Sequence, residues 1–272
     1  NIDENVVNGD VTNYYAGIVK AFANGGEYTL GASLELEQPL TLANDKTLKL
    51  TIAEGAVLSI VDSTEKNFQL IDNRGTGKMT VEATINSGWN RYSAVIANNP
   101  GGNLTVKGVT LEHLGGTDMA YGIDNLTNGK GTVAVTTIEG ATVKSTYRAV
   151  RQFLNGVEAT NELYVKAGST LRGDNNAIFF QDPNKNANPG KLVVEAGAEL
   201  KNNVYVDAPA DTEDVPILDK KVRRKKQIVS YITFTLGLIA AAFINDNVIS
   251  NILILANLFQ TITITKFVYK LT

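Results

Sequence analysis

The 272-residue chain contains no cysteine, which excludes disulfides, thiolate metal sites and a cysteine nucleophile together. It has one histidine, His113, and this removes most imidazole-based metal sites and histidine-dependent triads. A histidine this isolated reads as a surface or turn residue. Positive charge is not in excess: the net charge is −3, so no general attraction to nucleic acid is expected. No G-x-S-x-G elbow, phosphate-binding loop or calcium nonapeptide occurs. The stretches NPGGN (99–103) and TNGKG (127–131) lie between strand-like runs rather than before a helix, and read as turns. The chain starts at Asn1 without a basic, apolar leader, which fits either a removed signal peptide or a sequence beginning inside its gene.

What the chain does have is a repeat. Short runs rich in Val, Ile, Leu and Thr are bounded by Gly and Asn, the pattern of strands separated by tight turns. Leu50, Val81, Val106, Val135, Val165 and Val194 sit at the centres of similar runs, at intervals of 31, 25, 29, 30 and 29 residues. A near-constant period of this length predicts a solenoid, in which each unit buries its apolar face against its neighbours. Gly followed by a small residue and a second strand recurs in EGAVLSI (54–60), EGATVKS (139–145), AGSTLRG (167–173) and AGAELKN (196–202), predicting a sharp corner. A third strand precedes each anchor. Aligning QLIDN (69–73), AVIAN (94–98), YGIDN (121–125), RAVRQ (148–152) and AIFFQ (177–181) puts Asn73, Asn98, Asn125, Gln152 and Gln181 in one column. Amides stacked one strand spacing apart can hydrogen-bond along such a column.

In these features residues 25–207 resemble the right-handed parallel β-helix superfamily, the pectate-lyase-like architecture of polysaccharide lyases, bacterial surface adhesins and phage tailspikes. The resemblance implies an all-β, single-stranded solenoid of about six or seven coils, and residues 1–24 are expected to cap it. Within that cap, VTNYYAGIVKAFANGG (11–26) has apolar residues at helical spacing.

For the lyases of that superfamily the resemblance implies carboxylates from adjacent coils converging on Ca²⁺, with Arg or Lys as base. The column after the aligned apolar residues reads Asp72, Ala97, Asp124, Arg151 and Phe180. Asp72, Asp124 and Arg151 are thus the candidate catalytic residues of a polysaccharide lyase or glycoside hydrolase. The two aspartates are separated by an alanine coil, roughly 10 Å apart, too far to share one ion without further ligands. No cofactor is expected unless the lyase reading holds, when it would be Ca²⁺. A binding role has better material: SGWNRYS (87–93) gathers Trp89, Arg91 and Tyr92 in one turn, where rings can stack on sugars and Arg can hydrogen-bond. Tyr121, Tyr147 and Phe180 would extend this strip if they face outward.

The composition changes after residue 207. An acidic then basic linker (208–227) includes DKKVRRKK (219–226), and two charge-free runs, 228–244 and 248–265, fit a membrane helical hairpin within 228–272. The basic cluster before the first run places both ends in the cytoplasm, whereas the β-helix resemblance implies export to the cell surface. Three readings stay open: a cytoplasm-facing membrane protein, a basic segment that does not set orientation, or two joined unrelated sequences. The sequence as a whole predicts a non-catalytic, adhesin-like surface β-helix that presents a rigid face to a glycan or a protein, with a membrane-associated tail. Its alternatives are the lyase or hydrolase and a phage or envelope spike.

Overall fold

A computed structural model describes residues 11–60, 69–87, 93–116, 119–128, 130–188 and 190–207, with side chains from residue 16 onward. These all belong to the first of two compact units, Asn1–Val215. The described part is an all-β parallel solenoid opened by one helix, α1 (Val11–Asn24).

Three seven-stranded parallel sheets run the length of the coil. The first contains β1 (Gly26–Leu30), β4 (Thr47–Ile52), β7 (Lys78–Glu82), β10 (Asn103–Lys107), β13 (Val133–Glu139), β16 (Thr160–Val165) and β19 (Gly190–Val194). The second contains β2 (Leu34–Leu36), β5 (Leu58–Ile60), β8 (Ile85–Ser87), β11 (Thr110–His113), β14 (Thr142–Ser145), β17 (Thr170–Gly173) and β20 (Glu199–Lys201). The third contains β3 (Leu40–Leu42), β6 (Ile71–Asn73), β9 (Ser93–Asn98), β12 (Ala120–Thr127), β15 (Arg148–Leu154), β18 (Asn176–Gln181) and β21 (Val204–Asp207).

Period-two alternation drives this arrangement. In β4 every second residue, Leu48, Leu50 and Ile52, points inward, and the pattern repeats coil by coil. Each buried aliphatic side chain contributes about 1.5–3 kcal/mol. The corner glycines turn the chain from the first sheet to the second; Gly168, at φ 76°, occupies the left-handed region that a side chain would strain. At the start of the solenoid, Ile18, Ala21 and Phe22 of α1 lie on one helical face and are buried against the first coil. An exposed first coil would otherwise offer unpaired strand edges.

Two registers differ from the sequence alignment. Val106 pairs with Ile138, which in turn pairs with Val165, so the fourth anchor is Ile138 and not Val135. β12 runs on to Thr127 and the following turn is longer, which displaces the anchor by three residues and turns Val135 outward. In the third sheet Val150 pairs with Ile178 and Gln152 with Phe180. The alignment on Phe179 was therefore one residue late, which moves Gln181 opposite Phe153 and out of the amide column.

Candidate functional site

The amide column runs inside the third sheet. Asn73 Nδ2 donates to Asn98 Oδ1 at 2.8 Å, Asn98 Nδ2 to Asn125 Oδ1 at 3.0 Å, and Asn125 Nδ2 to Gln152 Oε1 at 3.0 Å. Thr136 Oγ1, inward-facing on β13, also donates to Asn125 Oδ1. Asn98 Nδ2 lies 3.3 Å from the Gly102 carbonyl, and a Cβ at Gly102 would stand 2.3 Å from Asn98 Oδ1, so glycine is what admits the amide. The column stops where its neighbours are apolar. Leu42 flanks Asn73 and Phe180 flanks Gln152, leaving Asn73 Oδ1 and Gln152 Nε2 buried without partners.

The neighbouring residues point the other way. Along the outer face the column is Asp72, Ala97, Asp124, Arg151, Phe179 and Tyr205, so Phe179 takes the place expected for Phe180. Asp124 is held bidentately by Arg151, with Nε–Oδ1 at 2.8 Å and Nη2–Oδ2 at 2.5 Å. Burial opposes the Arg151 charge, but the adjoining Asp124 carboxylate, by charge and hydrogen bonds, leaves the guanidinium pKa above its ordinary value. Asp72 accepts from Arg74 Nε at 2.5 Å and from Asn99 Nδ2. The two aspartates are two strands apart, with Ala97 between them. Each already has a cationic partner, so the carboxylates do not converge as an acid–base pair. Among the described residues no cluster of three or more His, Asp or Glu side chains is placed to hold a metal ion.

Rings and guanidinium groups interleave on the same face. Arg151 lies over the Tyr121 and Phe153 rings at 4.4 and 4.5 Å. Arg148 lies between Tyr147 at 4.4 Å and Phe179 at 3.5 Å, and Phe179 stacks on Tyr205 with centroids 5.6 Å apart. Tyr205 is 47% exposed, whereas Tyr121 is buried at the base of the strip, and that burial raises its phenol pKa against the pull of Arg151. Beside it a cleft of about 60 Å³ is lined by Gln69, Ser93, Met119, Tyr121, Asp124 and Arg151. That is far below the roughly 300–1,000 Å³ of small-molecule pockets.

His113 departs from its expected surface position. In β11 it shares the inward parity of Leu111, and it is buried, with Nε2 2.6 Å from Ser93 Oγ. Its Nδ1 is buried without a hydrogen-bond partner, and the Gly115 backbone only partly opposes the effect of burial on the ring. Burial lowers its pKa from 6.5 to about 4, so the ring is neutral at pH 7. The alternation of TLEH would have revealed this once its register was known. The contact of Arg148 with Phe179 was missed because it joins side chains one coil apart. Trp89, Arg91 and Tyr92 lie outside the described residues, as do residues 228–265.

Compared with known proteins, residues 202–264 match the family model of AgrB, accessory gene regulator B, a membrane-associated family. No curated protein and no solved structure matches. The family match covers under a quarter of the chain and starts within the last coil, two residues before β21. Among the described residues no helix is long and apolar enough to cross a membrane.

Proposed function

We propose that this protein is a binding β-helix that engages a glycan or protein partner along the outer face of the third sheet and is held at a membrane through its tail. The observation that carries the reading is the strip in which Arg148 is sandwiched between Tyr147 and Phe179 while Phe179 stacks on the exposed Tyr205. Rings and guanidinium groups fixed by one another lose little freedom on binding, and Tyr and Arg are enriched where binding energy concentrates. The ion-paired state of Asp72 and Asp124 favours this reading over the lyase alternative. Trp89, Arg91 and Tyr92 are carried as further candidate contacts on sequence grounds alone.

The test is a screen of the full chain on a glycan array and a displayed peptide library, followed by Tyr205→Ala and Trp89→Ala. Loss of about tenfold or more in affinity for the selected ligand supports the face. Unchanged affinity in both variants removes it. Membrane attachment rests on the two charge-free runs and the AgrB match. It predicts that the full chain needs detergent while a version ending at Ala210 does not; a full chain soluble without detergent overturns it.

A further inference from the structure

The ion pairs of the third sheet are unevenly distributed. Arg151 pairs bidentately with Asp124, and Arg74 pairs with Asp72 through its Nε. Arg148 is not paired with any carboxylate among the described residues: its Nε donates to Asn176 Oδ1 at 3.1 Å, and the Tyr121 hydroxyl lies within its hydrogen-bonding reach. Asp174, at the corner before β18, pairs with Arg172 instead, at 4.0 Å. A guanidinium carries five N–H donors, more than these two neutral acceptors use. The ring sandwich also fixes its plane. A half-buried cation held rigid, with no counter-charge among the described residues, can take an anionic group from outside.

The surface around it is a row of parallel strands bearing Phe153 and Tyr205, with Tyr147 at the bend just before β15, and its cleft is too small to enclose a ligand. Extended rows of rings and Arg without a deep pocket suit protein partners, whose contacts concentrate on such anchors. Resting on the binding face proposed above, we infer that the partner is a protein presenting an acidic, extended segment, one carboxylate of which pairs with Arg148 while its neighbours pack on Phe153 and Tyr205.

The full chain in detergent is tested against poly-L-glutamate, poly-L-lysine and polygalacturonate by interferometry, using wild type, Arg148→Gln, Arg148→Lys and Tyr205→Ala. The expected result is binding to poly-L-glutamate alone, weakened about tenfold by Gln and less by Lys, which keeps the charge but not the fork. Wild-type affinity should fall as salt is raised, a readout that does not depend on any variant folding. Binding only to polygalacturonate identifies an acidic glycan and overturns the protein inference. Salt-independent binding, or full affinity in Arg148→Gln, overturns the role of Arg148. If Tyr205→Ala still abolishes binding of the screened ligand in that case, the face stands and only the acidic segment falls.

Discussion

Consecutive residues of the third sheet have opposite fates. Inside, Asn73, Asn98, Asn125 and Gln152 repeat one chemistry at one position and satisfy each other through single hydrogen bonds. Outside, one residue earlier, Asp72, Ala97, Asp124, Arg151, Phe179 and Tyr205 change in chemistry along the column, from carboxylates through a guanidinium to rings. Asn98 and Asn125 each have an amide one strand spacing above and below, and a buried amide without a partner is costly, so the interior keeps one chemistry until Leu42 and Phe180 end the column. The exterior is free of that constraint, so its variety carries what distinguishes this solenoid from another.

Breaking the inner column should have the largest effect. Asn125→Ala removes the amide that accepts from Asn98 and Thr136 and donates to Gln152. A loss of about 3–4 kcal/mol in urea unfolding is expected, because buried Gln152 is left without its donor. A loss below about 1 kcal/mol would mean the column adds only packing.

The inner face also contains the protein's one histidine, and acid probes it without mutation. Its folded pKa, about 4, is below the ordinary 6.5, so the unfolded chain takes up the proton first. The stabilising contribution of neutral His113 is complete above pH 6.5 and is lost as pH falls toward 4, by ~3 kcal/mol in all. His113→Gln should flatten stability between pH 6.5 and 4.5. An unchanged slope would assign that acid sensitivity to other groups.

On the outer face, Asp124→Asn leaves Arg151 charged over the Tyr121 and Phe153 rings with no counter-ion among the described residues. A loss of about 2 kcal/mol is expected, less than for a fully buried pair because the Arg151 side chain is 15% exposed. Should Asp124→Asn cost more than Asn125→Ala, the outer ion pair and not the inner amide column would be the stronger stabilising element of this sheet.

The sequence itself determined the solenoid: its period, the glycine corners and the recurring amides are local, because every coil must solve the same packing problem as its neighbour. It also determined that Asp72 and Asp124 stand two coils apart. Tertiary structure decided the registers. The turns between coils are free to vary in length, and a slip of one residue reverses which side of a strand faces inward. That is why Ile138 replaces Val135 as the anchor and Phe179 replaces Phe180 on the outer face. It is also why His113 is buried against Ser93 and why Gln181 leaves the amide column. The pairing of Arg151 with Asp124, and the lack of a carboxylate for Arg148 among the described residues, arise only when residues 27 or more apart lie side by side. Side chains brought together by stacking leave no local pattern in the chain, whereas the stacking itself does.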